Sequence, residues 1–109
     1  FNFGPPVQQA HSVLELVKQM SNHWDQVRWD DVSGKDGDLY ESGLLKLNCD
    51  KALHHLKWHA VLNFEETVEM TTKWYQYYYK DPRSIRERTV AQIQEYTSFA
   101  VDRGIACAQ

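Results

Sequence analysis

Asn63-Phe64-Glu65-Glu66-Thr67-Val68-Glu69-Met70-Thr71-Thr72-Lys73-Trp74-Tyr75-Gln76-Tyr77-Tyr78-Tyr79-Lys80-Asp81-Pro82 is the stretch that decides how the chain is read. Asn63 followed three residues later by Glu66 is a capping box, in which side chain and backbone satisfy each other's orphan groups at a helix start. Phe64, Val68, Thr71, Trp74, Tyr75 and Tyr78 then share one stripe at helical spacing. Asp81-Pro82 ends the run, because a residue before proline is pushed out of the α region. A long amphipathic helix is therefore expected here.

Downstream, Ser84 with Glu87 reads as another capping box, opening a helix whose apolar face carries Val90, Ile93, Tyr96 or Thr97, and Val101. Arg103-Gly104 supplies its end, and the last residues are expected to fray. Upstream, Leu44-Leu45-Lys46-Leu47 reads as a brief strand, and Asn48 as the N-cap of a helix through Lys51, Ala52, Leu53 and Leu56. Val27-Arg28-Trp29-Asp30-Asp31-Val32 has period-2 character before the polar loop 33–38 and reads as a second short strand. Ser12 and Glu15 form a third box, with Val13, Leu16, Val17, Met20 and Trp24 on one face of a helix over residues 12–24. Phe1-Asn2-Phe3, stopped by Gly4-Pro5-Pro6, reads as an opening strand. The expected fold is α+β, a helix-dominated small domain with about three short strands.

Composition bounds the function. With 109 residues, 42% of them hydrophobic, the chain holds one modest core and no second domain. Its 12 basic and 15 acidic residues give a net charge of −3, without the basic field a phosphate backbone demands, so no nucleic-acid partner is expected. No apolar run reaches the ~20 residues of a membrane span, and the opening lacks the pattern of a signal peptide. Cys49 and Cys107 are expected to stay reduced in a cytoplasmic protein. A start at Phe1, inside what reads as a strand, suggests a piece of a longer polypeptide.

Few residues carry catalytic chemistry. His55 and His59 are spaced for one helical face, but a third ligand is missing, so helix-end histidines are expected rather than a metal site. Tyr75 to Lys80 invites comparison with the Tyr-x-x-x-Lys pair of dehydrogenases, yet the residue four before Lys80 is Gln76, and aromatic packing is the plainer reading. There is no Gly-x-Ser-x-Gly turn and no Gly-x-Gly-x-x-Gly order among the five glycines. The loop 36–42, with Tyr40 and Glu41, sets polar side chains beside a strand end, as ligand-binding loops do; a solvated turn has the same composition.

Asn2-Phe3-Gly4-Pro5, Leu45-Lys46-Leu47-Asn48-Cys49-Asp50-Lys51-Ala52, Leu56-Lys57-Trp58, the helix with Trp74-Tyr75, and Ile93-Gln94-Glu95-Tyr96 follow one another in an order that resembles the C-terminal portion of the CDP-glucose 4,6-dehydratase family, extended short-chain dehydrogenases of the NAD-dependent epimerase/dehydratase group. The resemblance covers residues 1–96, leaving 97–109 as a tail that continues or frays from the last helix. Tyr40 stands where that family has His, Ser42 where it has Ala, Asn48 where it has Asp, Lys57 where it has Gly, and Ala60 where it has Pro.

The resemblance implies a nucleotide-sugar-binding lobe, residues 1–96, whose loop places Glu41 and Tyr40 at the nucleotide end of a CDP-glucose cleft. It implies NAD as cofactor of the whole enzyme, a lyase serving deoxysugar and surface-polysaccharide synthesis. The glycine-rich loop and the catalytic groups belong to an N-terminal Rossmann portion, so this chain by itself is expected to hold neither NAD nor catalytic residues. A homo-oligomer is compatible with it. The lobe of another nucleotide-sugar epimerase or reductase, and a free-standing helical interaction module, stay open beside it.

Overall fold

The computed structural model describes residues 1–6, 11–30 and 47–105. They form four α-helices: α1 over Val13–His23, α2 over Asp50–Leu56, α3 over Phe64–Lys80 and α4 over Ile85–Asp102, with a 3-10 turn at Pro82–Ser84 between the last two. No strand occurs among the described residues, so the fold is helical and the α+β expectation is corrected. Residues 1–6 and 27–30 have no regular structure; residues 31–32 and 44–46, where two expected strands were to continue or begin, lie outside the described residues. The reason is general: alternation supplies a strand's pattern, but only a neighbouring edge satisfies its backbone. Phe1 and Phe3 meet side chains of the α2 region instead of a second strand.

α3 is the axis. Asn63 Oδ1 accepts from Glu66 N at 2.8 Å while Glu66 Oε2 accepts from Asn63 N at 2.9 Å, completing the box. α1 runs alongside in the same direction: the His11 ring stacks on Phe64 at 3.7 Å near the start of α3, and Gln76 Nε2 donates to the His23 carbonyl at 2.6 Å near its end. α4 returns antiparallel on another side, where Trp74 Nε1 donates to Thr89 Oγ1 at 2.9 Å and Gln92 Nε2 to the Met70 carbonyl at 2.7 Å. Ser12 and Glu15 form the box expected for α1, with Ser12 Oγ accepting from Glu15 N at 3.2 Å.

The apolar stripes are rotated from expectation. On α3 the fully covered positions are Val68 and Thr72, while Thr71, Tyr75 and Tyr78 are exposed. On α4 the side facing α3 is Thr89, Gln92, Tyr96 and Ala100, and Val90, Ile93 and Val101 lie in the open. Ser84 does not cap α4 with its side chain. It sits at φ −87°, ψ −1°, already helical because the 3-10 turn leads straight into α4, whereas an N-cap needs extended backbone. Asp81 takes the capping role, its Oδ1 accepting from Arg83 N at 3.2 Å. α4 ends on a Schellman motif: Gly104 at φ +68°, with Gly104 N donating to Val101 O and Ile105 N to Ala100 O, each at 2.9 Å.

Candidate functional site

Three of the segments that carry the family resemblance meet in space. Residues 1–6 lie against the start of α2, where Asn2 Nδ2 donates to the Asn48 carbonyl at 3.2 Å and the Cys49 sulfur sits 3.9 Å from the Gly4 carbonyl oxygen. A β-carbon on Gly4 would come within 3.6 Å of Cys49 Sγ and 3.7 Å of Leu47 Cδ1, so the backbone runs close along this surface. The Phe3 ring meets Trp58 edge-on at 5.0 Å, and Phe1 meets His55 at 6.2 Å with Lys51 Nζ 5.2 Å from its ring centre. Ala52 beneath is fully covered. Phe1, Phe3, Trp58 and His55 thus form an aromatic platform with one ammonium at its rim, and Phe1 and Phe3 remain 60% and 51% exposed.

Local chemistry explains how α2 presents this surface. Asn48 Oδ1 accepts from Asp50 N at 2.8 Å, so it caps the helix from one position earlier than a standard N-cap; Cys49 occupies the cap itself without a side-chain bond. The helix ends at Lys57, which adopts φ +55°, the left-handed region. That conformation strains any side chain and suits glycine. It gives a physical reason for the glycine with which the resembling family opens its Gly-Trp turn, and it is the turn that swings Trp58 back toward Phe3. His59 lies beyond this turn, so His55 and His59 do not share a helical face. His54 and His55 touch edge-on at 5.0 Å, and among the described residues no three His, Cys, Asp or Glu come together as metal ligands.

Tyr40 and Glu41, the expected substrate contacts, lie outside the described residues, as does Ser42. A feature that sequence reasoning missed fastens the loop between α2 and α3. Arg103, at the end of α4, donates from Nη2 to Glu66 Oε1 at 2.6 Å, from Nη1 to Glu66 Oε2 at 3.0 Å, and from Nη1 to the Val61 carbonyl. The Arg103 guanidinium, followed by the Asn63 N–H, holds the Glu66 carboxyl down to about 2. Nothing in the sequence pairs residues 37 positions apart. The tyrosines of α3 also differ from expectation: Tyr75, Tyr77, Tyr78 and Tyr79 are all exposed, with Trp74 stacked on Tyr78 at 5.6 Å.

At the starts of α1 and α3 the Glu15 and Glu66 carboxylates accept from the backbone N–H groups of Ser12 and Asn63. The platform itself presents flat rings and an ammonium, while the side-chain amides of Asn2 and Asn48 are engaged with the Asn48 carbonyl and with Asp50. No helix among the described residues is long and apolar enough to cross a membrane.

No protein-family model and no solved structure matches the chain. Over 76 residues it is 33% identical to the CDP-glucose 4,6-dehydratase of Salmonella typhimurium strain LT2, a match that takes in 69% of this chain and 21% of that protein. The chain therefore spans about a fifth of that relative's length. A likeness of this extent supports kinship with the sugar dehydratases and epimerases.

Proposed function

We propose that the chain is the C-terminal, nucleotide-sugar-binding part of a CDP-glucose 4,6-dehydratase, catalytically incomplete until joined to an N-terminal Rossmann portion. The observation that carries this reading is the convergence of Phe1-Asn2-Phe3-Gly4, Leu47-Asn48-Cys49 and Trp58 on one surface: three separate motif segments of the resemblance pack on one another. The partial likeness to the Salmonella enzyme supports it independently. NAD, held by the Rossmann portion, would supply the hydride chemistry at the sugar. This chain's share is binding: in the loop before Leu47, Glu41 accepts hydrogen bonds from nucleotide ribose hydroxyls, and Tyr40 offers a ring with a polar edge.

A contact remote from the reacting carbons acts equally on ground and transition states, so it moves KM and leaves kcat. In the full-length enzyme, Glu41→Ala is expected to raise KM for CDP-glucose about tenfold, the equivalent of ~1.4 kcal/mol, with kcat nearly unchanged. A KM close to that of the parent, with unaltered thermal stability, makes Glu41 a solvated turn residue. Failure of the full-length enzyme to turn over CDP-glucose at all overturns the larger reading.

A further inference from the structure

The described residues fall into two groups. Residues 1–6 and 47–58 hold one another: Asn2 bonds to Asn48, Gly4 lies against Cys49, and Phe1 and Phe3 meet His55 and Trp58. The other group is a bundle, with α1 and α4 packed on α3; α2 has no comparable helix-to-helix packing among the described residues. Between the two runs the short connection 59–62, which leaves the platform after Trp58 and enters α3 at the Asn63 cap. Such a connection limits how far apart two bodies can lie, whereas their relative angle is open to hinge motion unless a contact fixes it.

Arg103 makes that contact. Its guanidinium donates to the Val61 carbonyl, inside the connection, and grips Glu66, in the first turn of α3, through bonds of 2.6 and 3.0 Å. The Val61 side chain is buried, so the connection is pinned by its side chain and its backbone together. Arg103 is itself held by α4: its N–H donates to the Phe99 carbonyl, and its guanidinium lies 5.3 Å from the Phe99 ring centre. A two-pronged guanidinium–carboxylate pair fixes direction as well as distance, which a lysine ammonium, a point charge, does not. One side chain thus ties α4, the start of α3 and the strap leading to Trp58.

We propose that Arg103 is a positioning residue, a latch that sets the angle between the aromatic platform and the bundle of α1, α3 and α4. It sits in the tail 97–109, which the family resemblance leaves unassigned. Its bearing on substrate rests on the nucleotide-sugar reading, in which the loop bearing Glu41 leads in sequence to Leu47 of the platform.

Residual dipolar couplings of the 109-residue chain, without substrate, read that angle. In the parent, one alignment is expected to fit α2, α3 and α4 together. Arg103→Gln should leave α3 and α4 on one alignment and give α2 a separate, weaker one, while the Phe3–Trp58 contact and the Trp74–Thr89 bond persist. Arg103→Lys, with the charge but not the fork, should recover part of the common alignment. Glu66→Gln, which preserves the capping box because glutamine also serves there, should loosen α2 to a smaller degree. Lys73→Gln, which removes the exposed Glu69–Lys73 pair elsewhere on α3, should behave as the parent. A parent that needs two alignments, a common alignment that survives Arg103→Gln, or an equal loss in Lys73→Gln overturns the latch. If Arg103→Gln does not fold, parent-like alignment in both Arg103→Lys and Glu66→Gln overturns it. In the full-length enzyme, Arg103→Gln should raise KM for CDP-glucose about fivefold with kcat nearly unchanged; an unchanged KM beside a loosened α2 overturns the link to substrate. An enzyme that does not accept CDP-glucose overturns the nucleotide-sugar reading instead, and the α2 alignment then decides the latch by itself.

Discussion

α3 and α4 are neighbours of nearly equal length, yet one buries the heart of its apolar pattern and the other displays its own. α3 is gripped on two sides, by α1 and by α4, so Val68 and Thr72 disappear from solvent whichever way its flanks face. α4 touches the described residues along the one side that carries Thr89, Gln92, Tyr96 and Ala100. Its stripe of Val90, Ile93 and Val101 is left 48–59% exposed. The lesson is that periodicity reports which positions are apolar, while burial reports which positions have a neighbour.

Five substitutions break or sharpen this contrast. The largest effect is expected from Val68→Ala, which should cost about 2 kcal/mol in chemical denaturation through lost burial and a residual cavity. Ile93→Ala on the open face should change stability by less than about 0.5 kcal/mol. Equal losses at the two sites would mean that the α4 stripe is covered after all. Next, Thr72 is fully buried and its hydroxyl has no hydrogen-bond partner among the described residues. Thr72→Val keeps the shape and removes the orphan, so a gain of about 1 kcal/mol is expected. Destabilisation would show that the hydroxyl has a partner in solution.

A smaller gain, about 0.5 kcal/mol, is expected from Lys57→Gly, because relief of the left-handed backbone outweighs the extra freedom glycine gives the unfolded chain. A lowered melting temperature would place Lys57 outside that region. The smallest effect belongs to Glu66, whose clamp on Arg103 stays open to water. Its folded carboxyl is held at about 2, below the ordinary 4.5, so its contribution is complete above pH ~4.5 and fades as pH falls toward 2. Glu66→Gln should flatten that part of the stability profile relative to the parent; an unchanged acid limb would mean that the Arg103 pair adds nothing.

How much was legible follows from the range of the physics. Caps and stops are local, so the boxes at Ser12/Glu15 and Asn63/Glu66 and the break at Asp81-Pro82 were readable from a few residues. The box expected at Ser84/Glu87 failed for a reason equally local but unseen: the 3-10 turn places Ser84 in helical backbone before its side chain can cap. The strand expectations at residues 1–3 and 27–30 failed because a strand is completed by a distant partner that alternation does not name. The same holds for the Arg103–Glu66 clamp, which joins residues far apart in sequence, and for the exposed tyrosines, whose surroundings no spacing rule gives. At the platform, the resemblance named the motifs but not their contacts. The expected substrate residues Tyr40 and Glu41 fall outside the described residues, so their role rests on the resemblance.

The polar inner face of α4 has a consequence for uniqueness. Two helices joined by interchangeable apolar side chains can slide by a turn at small cost, since one aliphatic contact replaces another. Here the Trp74 indole donates to Thr89 and the Gln92 amide to the Met70 carbonyl. A shift of one turn would leave both donors and both acceptors facing the wrong atoms, and each half-buried orphan is penalised. The α3–α4 hairpin therefore has a single alignment, and its register is written in hydrogen bonds.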